Sequence, residues 1–364
     1  MEQAQILKQK ILQISPESFD ALALEIFRFQ ADNNLIYQKY LQYLDVQTDT
    51  VKMIEQIPFM PIEFFKTQTV ITGKPTIKAV FESSGTTGQN TSRHHVAAPD
   101  FYLTIAEQIF ERVYGKLADF QILALLPSYL ERSNSSLVYM VEHFIKKSGN
   151  PKSGFFLNDY EKLARVLKEG KQQTAEKRQK TESRRGEANP QSKIQNPKFK
   201  TLLIGVTFGL LDFAESGIDL SFLKNRNDLI VMETGGMKGR RKELLREEVH
   251  EILTKAFHVN SIHSEYGMTE LLSQGYSSGE GVFELPLSMK ILFRDVNDPF
   301  IYVQNARSGG INVIDLANVD SCCFIETKDL GAVYDDQLAV NKNRFKILGR
   351  FDNSDIRGCN LMIS

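Results

Sequence analysis

The sequence predicts an α/β protein on three observations. Short apolar runs that end in turn or charged residues are typical of buried strands. Amphipathic helical patterns lie between several of these runs, and the alternation favours a sheet that is partly parallel. The chain has 364 residues, 42% of them hydrophobic and 24% charged, so it can bury a large core in one big domain or two of ordinary size.

Residues 3–45 predict two or three amphipathic helices. Apolar side chains recur at helical spacing from Leu7 to Ile14, from Phe19 to Phe27 and from Tyr37 to Leu44. Pro16 follows Ser15 as a proline at the first helical position follows a capping residue. We therefore expect the chain to open with helices that each bury one face.

Four apolar runs further along predict core strands. They are FQILALLP at 120–127, TLLIGVTF at 201–208, DLIVME at 228–233 and MKILFRDV at 289–296. A helical pattern at 100–118 precedes the first of these runs, and another at 238–257 lies between the last two. The adjacent Cys322 and Cys323 continue an apolar run toward Phe324, so we expect both thiols to be packed in the interior.

The segment from about 168 to 200 has a different composition. It has almost no large apolar side chains and is rich in Lys, Arg, Gln and Glu. Such a segment cannot bury enough apolar surface to offset the entropy of ordering it, so we expect a mobile surface insertion. Its basic excess could hold an acidic partner, but a charged run without interleaved aromatic residues is more typical of a solvated loop.

Charge and cysteine content exclude several classes of protein. The formal net charge of −1 does not supply the positive field that nucleic acid binding needs. The three cysteines, Cys322, Cys323 and Cys359, have neither a disulfide nor a zinc spacing, which fits a reducing compartment. The N-terminus has no continuous apolar core, and no apolar run approaches the roughly 20 residues of a membrane helix. We expect a cytoplasmic protein without a membrane span.

The histidines show no pattern of metal ligands. We interpret all six as structural or surface residues: His94, His95, His143, His250, His258 and His263.

A loop rich in Ser, Gly and Thr lies within FESSGTTGQNTSRHHV at 81–96. Its backbone N–H groups and hydroxyls could surround phosphate oxygens, and glycine allows close approach. Only two residues separate Gly85 from Gly88 and no lysine follows, so the loop is not a Walker P-loop. Taken alone, such a loop is more often a plain turn than a nucleotide site.

Three further motifs follow this loop along the chain. HSEYGMTELLSQGY at 263–276 contains Tyr266, Thr269 and Glu270. FIETKDLG at 324–331 places Asp329 after a strand-like stretch, and ILGRFDNSDIRGCNLMIS at 347–364 contains Arg350. Together with the loop, their order resembles that of the acyl-adenylate-forming superfamily, which includes acyl-CoA synthetases, nonribosomal adenylation domains and firefly luciferase.

Within that superfamily the chain resembles most closely the LuxE-type acyl-protein synthetases, which activate fatty acids for bacterial luminescence. The shared features are IPFMPIEFFKT at 57–67, LLPSYLERSNSSLVYM at 125–140, ETGGMKGRR at 233–241 and an end at 357–360. The likeness runs from about residue 50 onward. Phenylacetate-CoA-ligase-like enzymes, which also carry an Arg-Gly-x-Asn turn, are the next most similar.

The resemblance implies a fold and a division of the chain. The expected fold is the large N-terminal domain of the acyl-adenylate-forming enzymes, with two helix-packed sheets and a β-rich lobe, over residues 1–350. Helices at 1–50 precede its main body, and residues 351–364 form a short hinge stub. The small C-terminal domain, roughly a hundred residues in relatives that make acyl-CoA, is expected to be absent. The hinge lysine of those relatives is also missing, which leaves open how well adenylation proceeds without it.

The resemblance also implies ATP and Mg²⁺ as cofactors and assigns the site residues. The β and γ phosphates would be bound by Ser84, Gly85, Thr86, Thr87 and Gly88, with help from Arg93. The α-phosphate would be bound by Thr269 and the Mg²⁺ by Glu270. The adenine would contact Gly235, Gly236 and Tyr266, the ribose would contact Asp329 and Arg350, and Cys359 would accept the acyl group. Plainer interpretations exist for single residues. Glu270 could be a charge at a helix N-terminus, Asp329 a turn residue, and Tyr266 a buried ring with a satisfied hydroxyl.

The predicted function is ATP-dependent activation of a carboxylic acid, expected to be a fatty acid, to acyl-AMP. The acyl group would pass to a thiol, expected to be Cys359, and then to a partner such as an acyl reductase or another acceptor. One alternative passes it to CoA or a carrier protein, and another is a non-catalytic relative that binds a nucleotide or an acyl group. The apolar residues of 120–140 and 200–236 could line an acyl channel or simply form core strands, so the sequence does not identify the acid.

Overall fold

One long mixed sheet organises the chain. The computed structural model describes residues 2–83, 91–126, 134–169, 199–224, 226–236, 244–302, 308–334 and 344–350. The helices are α1 (Glu2–Leu12), α2 (Phe19–Asn33), α3 (Leu35–Tyr43), α4 (Phe64–Thr67), α5 (Pro99–Tyr114), α6 (Ser136–Ser148), α7 (160–169), α8 (Thr207–Ala214) and α9 (Arg246–Phe257). The strands are β1 (Met60–Pro61), β2 (Ala79–Glu82), β3 (Arg93–Val96), β4 (Phe120–Leu125), β5 (Gly154–Phe155), β6 (Lys200–Val206), β7 (Leu229–Thr234), β8 (His263–Tyr266), β9 (Gly275–Ser277), β10 (Val282–Glu284), β11 (Met289–Arg294), β12 (Ser308–Asp315), β13 (Phe324–Val333) and β14 (Arg344–Arg350).

The sheet has a parallel half and an antiparallel half. Its strands follow the order β11-β12-β13-β14-β10-β9-β8-β7-β6-β4-β5, and β1 adds to β13. From β5 to β8 neighbouring strands are parallel, and from β8 to β11 they are antiparallel. Strands β2 and β3 form a separate antiparallel hairpin. The partly parallel sheet and the β-rich part toward the end are as predicted. In place of the two expected helix-packed sheets, hydrogen bonds join the two halves into one main sheet.

The parallel strands lie where the apolar runs predicted them. Every residue of β4 is buried, as expected for a strand covered on both faces by helices. The run TLLIGVTF covers two elements, because β6 ends at Val206 and Thr207 begins α8. In the predicted helix at 238–257, the described helix begins only at Arg246.

The N-terminal helices pack against the loop at 316–323 between β12 and β13. Gln30 on α2 donates from Nε2 to the carbonyl oxygens of Asn318 and Val319 at 3.0 and 3.1 Å, and its Oε1 accepts from the Cys323 N–H at 2.9 Å. Lys8 on α1 pairs with Asp320 at 2.6 Å. The predicted amphipathic helices are therefore confirmed, and Cys323, like its neighbour in sequence, is fully buried as expected.

Strands β7 and β8 are adjacent and parallel, so the segments that follow them meet at one edge of the sheet. Both segments carry predicted site residues. Among the described residues, no helix is long and apolar enough to cross a membrane.

Candidate active site

The segment after β7 is a glycine pair. Gly235 has φ of +73°, a backbone conformation that strains residues with a side chain, and its carbonyl accepts from the Thr207 hydroxyl at 3.1 Å. A side chain added at Gly236 would meet open space. Gly235 and Gly236, the glycines predicted to contact adenine, are therefore both exposed, and open space lies beside the backbone of Gly236.

Glu265 links this segment to the next one. It is the cross-strand neighbour of Thr234, whose hydroxyl hydrogen-bonds its carboxyl. A Cβ added at Gly267 would lie 2.3 Å from Glu265 Oε1, so the carboxyl lies directly beneath the turn that follows β8. Burial, with a smaller contribution from Glu233, raises the pKa of Glu265 to about 7.

Tyr266 is the last residue of β8, and its side chain points into the interior. The ring is 5% exposed and lies against Phe283 and Phe345, with centroids 5.9 and 5.5 Å away. Its hydroxyl donates to Asp329 Oδ2 at 3.1 Å. Burial and the neighbouring Asp329 raise the pKa of Tyr266 well above its usual value, so the hydroxyl keeps its proton and can donate.

Asp329 is held on both oxygens. It is the cross-strand partner of Arg350, whose Nε lies 3.3 Å from Oδ1, while Tyr266 holds Oδ2. The carboxyl is 8% exposed, whereas the Arg350 side chain is 67% exposed. Burial raises the pKa of Asp329, and the Arg350 charge acts in the opposite direction. The pair therefore presents an exposed cation in front of a fixed, buried carboxyl.

Glu270 lies in a turn, not at the start of a helix. The turn is closed by the Leu271 N–H, which donates to the Met268 carbonyl at 3.2 Å, so the interpretation of Glu270 as a helix N-terminal charge is wrong. The side chain is buried, at 6% exposure. Burial raises its pKa, while a hydrogen bond from the Ser92 side chain and the charges of Arg350 and Lys66 act the other way.

The hairpin of β2 and β3 brings the flanks of the predicted phosphate loop beside this turn. The Ser83 N–H donates to the Ser92 carbonyl at 3.0 Å, and the Ser92 N–H donates to Ser83 Oγ at 2.9 Å. The Ser92 side chain also reaches Glu270. Ser84, Gly85, Thr86, Thr87 and Gly88 themselves lie outside the described residues, as does Cys359.

Arg93 lies on the same hairpin but is paired elsewhere. Its Nε is 3.1 Å from Glu82 Oε1 on the partner strand, and its side chain is 63% exposed. Because side chains alternate along a strand, it points to the face opposite His94. The described structure therefore gives it no contact with the turn that holds Glu270.

His94 is a buried residue that the sequence did not place beside the site. His94, interpreted as structural or surface, donates from Nδ1 to the Thr269 carbonyl at 2.9 Å. Thr269 itself is half-buried. In the sequence, the only sign of this contact is that His94 lies just beyond the loop, because 175 residues separate it from Thr269.

The carboxyl of Glu270 suits Mg²⁺ only together with a nucleotide. Among the described residues no group of three or more His, Cys, Asp or Glu side chains could hold a metal ion. Mg²⁺ in nucleotide sites takes one or two carboxylates and completes its shell with phosphate oxygens and water. A buried carboxyl with a raised pKa is also one that a bound cation would stabilise as the anion.

Comparison with known protein families shows to which family the chain belongs. The sequence profile of the acyl-protein synthetases, LuxE, matches residues 6–364. This chain belongs to the LuxE acyl-protein synthetase family. The predicted resemblance is thereby confirmed over nearly the whole of this LuxE-family chain, whereas no curated protein sequence matches it.

Solved structures show the fold of this LuxE-family protein. A 2-hydroxyisobutyryl-CoA ligase in complex with 2-HIB-AMP and CoA has a TM-score of 0.61 at 12% identity, covering 92% of this chain and 70% of its own. An ATP-bound RpMatB-BxBclM chimera has a TM-score of 0.50 at 14% identity, with 78% and 50% covered. ATP-bound MatB from Rhodopseudomonas palustris has a TM-score of 0.49 at 15% identity, with 76% and 49% covered. The chain thus spans about half the length of the MatB structures. The likeness to the 2-hydroxyisobutyryl-CoA ligase confirms the predicted acyl-adenylate-forming fold.

Proposed function

We propose that this protein is an AMP-forming acid–thiol ligase that activates a carboxylic acid, most simply a fatty acid, as acyl-AMP. The observation that carries the proposal is the meeting of separate chain segments at one sheet edge. His94, on the strand that leaves the loop at 84–88, hydrogen-bonds the Thr269 carbonyl in the turn that holds Glu270. Tyr266, which ends the strand before that turn, reaches Asp329 and through it Arg350. Membership of the acyl-protein synthetase family supports the same reaction.

The chemistry explains why such residues would be needed. A carboxylate oxygen of the acid attacks the α-phosphorus of ATP, a C–O–P linkage forms, and the bond to pyrophosphate breaks. Two anions must be held together and their charge spread, which is a matter of positioning and electrostatics. Thr269 and the loop at 84–88 would hold phosphate oxygens, and Arg350 with Asp329 would hold the ribose.

Glu270 would hold Mg²⁺, which, when bound, would neutralise part of the phosphate charge. A hydrogen bond from Ser92, at the flank of the loop, acts against the burial that raises the pKa of this carboxyl and so favours the anion that would bind the cation. Tyr266 would then act mainly by fixing Asp329, because its own ring is covered by two phenylalanines.

We propose Cys359 as the acceptor of the acyl group. A thiolate is the strongest side-chain nucleophile near neutral pH, and Arg357, two residues away in sequence, would favour that form. The thiolate attacks the acyl carbonyl carbon, a thioester forms and AMP leaves. The acyl group would then pass to an acyl reductase or another accepting protein.

Pyrophosphate exchange into ATP, measured with acids of different chain length and with aromatic acids, tests the first step. We expect Mg²⁺-dependent exchange that is strongest with long-chain acids. Nucleotide binding without exchange for any acid would contradict the proposal and indicate a non-catalytic relative.

A labelled fatty acid tests the acceptor. With ATP and Mg²⁺, wild type should retain label that hydroxylamine removes, Cys359→Ser should make acyl-AMP without retaining it, and the buried-thiol control Cys322→Ser should behave as wild type. Label that stays on Cys359→Ser, or AMP release that requires CoA, would contradict the acceptor and favour a CoA or carrier-protein ligase.

A further inference from the structure

His94 connects the hairpin to the turn that carries Thr269 and Glu270. It lies on β3, is 1% exposed, and its ring meets the edge of Phe65 with centroids 5.4 Å apart. Its Nδ1 is 2.9 Å from the Thr269 carbonyl oxygen, and its Nε2 is 2.8 Å from Ser321 Oγ. Both ring nitrogens therefore have partners inside the protein.

These partners define the tautomer of the imidazole. A carbonyl oxygen can only accept, so Nδ1 must carry the hydrogen. In the neutral ring Nε2 is then an acceptor, and the Ser321 hydroxyl donates to it. Burial lowers the pKa of His94 to about 4, which is consistent with a neutral ring.

The next carbonyl in the turn is held in the same way. Asn318 Nδ2 donates to the Glu270 carbonyl oxygen at 2.7 Å. Asn318 and Ser321 lie on one loop, and the Ser321 carbonyl is in turn fixed by Asn34 Nδ2 at 2.6 Å. The consecutive carbonyl oxygens of Thr269 and Glu270 thus accept hydrogen bonds from two buried groups, the His94 imidazole and the Asn318 amide.

We propose that His94 is a positioning residue for adenylation. Its Nδ1–H fixes the peptide plane between Thr269 and Glu270, and through it the direction in which the Glu270 carboxyl leaves the turn toward Ser92. The inference rests on the proposed function, because it assigns Thr269 and Glu270 to phosphate and Mg²⁺. A misplacement of about 1 Å at such a site can cost on the order of 10²-fold in rate.

Two substitutions separate the two hydrogen bonds of His94. The amide nitrogen of Asn reaches about as far as Nδ1, so His94→Asn can keep the donor to Thr269 and loses the contact with Ser321. The amide of Gln reaches about as far as Nε2, so His94→Gln keeps a partner for Ser321 and loses the donor to Thr269. His95→Asn, the same change at the next residue and on the other face of the hairpin, is the matched control.

The measurement is pyrophosphate exchange with its kcat and its KM for ATP, beside the melting temperature of each variant. We expect kcat of His94→Asn and of His95→Asn within about threefold of wild type, and kcat of His94→Gln lower by about 10- to 100-fold with a smaller change in KM. Similar losses in the Asn and Gln variants, in proportion to their loss of stability, would show a merely structural role and overturn the inference.

Nitrogen-15 NMR of the histidine rings provides a second measurement that needs no activity. We expect one ring, absent from His94→Asn, in the neutral form with hydrogen on Nδ1 at neutral pH. Hydrogen on Nε2 of that ring would overturn the inference even if His94→Gln does not fold. A wild-type protein without exchange for any acid would instead overturn the proposed function, and the role of His94 with it, so the two failures are distinct.

Discussion

Glu270 and Asp329 are two buried carboxyls with different surroundings. Glu270 faces the loop flank through Ser92, whereas Asp329 is held by Tyr266 and Arg350. If Glu270 holds Mg²⁺ and Asp329 the ribose, the loss of Glu270 should lower the rate of acyl-AMP formation, whereas the loss of Asp329 should lower the affinity for ATP. The distinction gives the first prediction.

Glu270→Gln should leave the fold intact and lower acyl-AMP formation by about 10²-fold or more, as expected for a lost electrostatic group. Asp329→Ala should mainly weaken ATP binding, measured by titration calorimetry. Glu251→Gln, an exposed carboxyl on α9, serves as the control. Wild-type activity in both site variants would mean that these are only turn and strand residues.

Glu265 predicts a pH dependence of stability. Its pKa is about 7 in the folded protein, above the 4.5 of an exposed glutamate. Between these values the folded state binds the extra proton, so the stabilisation is present below about pH 4.5 and is lost as the pH rises through 7.

Glu265→Gln, which is neutral at every pH, should remove this dependence. We expect the wild type to lose on the order of 2 kcal/mol relative to the variant between pH 5 and 7.5, measured by urea unfolding. Glu284→Gln, an exposed carboxyl on β10, should keep the wild-type dependence. Parallel curves for the wild type and Glu265→Gln would mean that Glu265 is ionised throughout.

At the scale of elements, the local pattern predicted the core strand β4 and the N-terminal helices, but it did not predict that the run at 201–208 contains the end of β6 and the start of α8. Contacts between distant segments are not available from the sequence. The run at 120–127 predicts β4, because a strand buried on both faces has to be apolar throughout. The hairpin and the turn meet through His94 and Thr269, 175 residues apart, and no periodicity records such a pair. The motif order predicted the convergence of Glu270, Asp329 and Arg350 only through the family resemblance.

Gln30 is a buried polar connection between elements far apart in sequence. Its removal from α2 would leave the backbone groups of Asn318, Val319 and Cys323 without this partner. Gln30→Ala should therefore lower the free energy of unfolding by about 1–3 kcal/mol. Urea unfolding measures it, with the exposed Gln42→Ala on α3 as control. Equal stability of the two variants would show that water replaces the amide without cost.

At the scale of the whole molecule, Arg226 brings together the two ends of the polar segment expected at 168–200. Its Nη1 donates to the Leu167 carbonyl at 2.8 Å and its Nη2 to Thr201 Oγ1 at 2.6 Å. The chain that enters the segment and the chain that leaves it are therefore close. A short linker can join them.

Replacement of residues 171–197 by a short Gly/Ser linker should keep the melting temperature within a few degrees and the exchange activity within about twofold, because a long polar loop contributes little beyond its closure entropy. The same replacement in an Arg226→Ala background should be less stable, because the contact that joins the ends is lost. A collapse of the melting temperature in the single replacement would mean that the segment packs on the domain.

The partners of Gln30 also have a consequence for how the chain is made. Gln30 and Cys323 lie 293 residues apart, and β1 pairs with β13 over a similar interval. A ribosome that adds roughly 5–20 residues per second needs on the order of 15–60 s to cover that distance. During this time the apolar faces of α1 to α3 have no native loop to cover them, so these helices are buried only after the loop at 316–323 has been made. We expect newly synthesised chains to be most prone to aggregation in this interval.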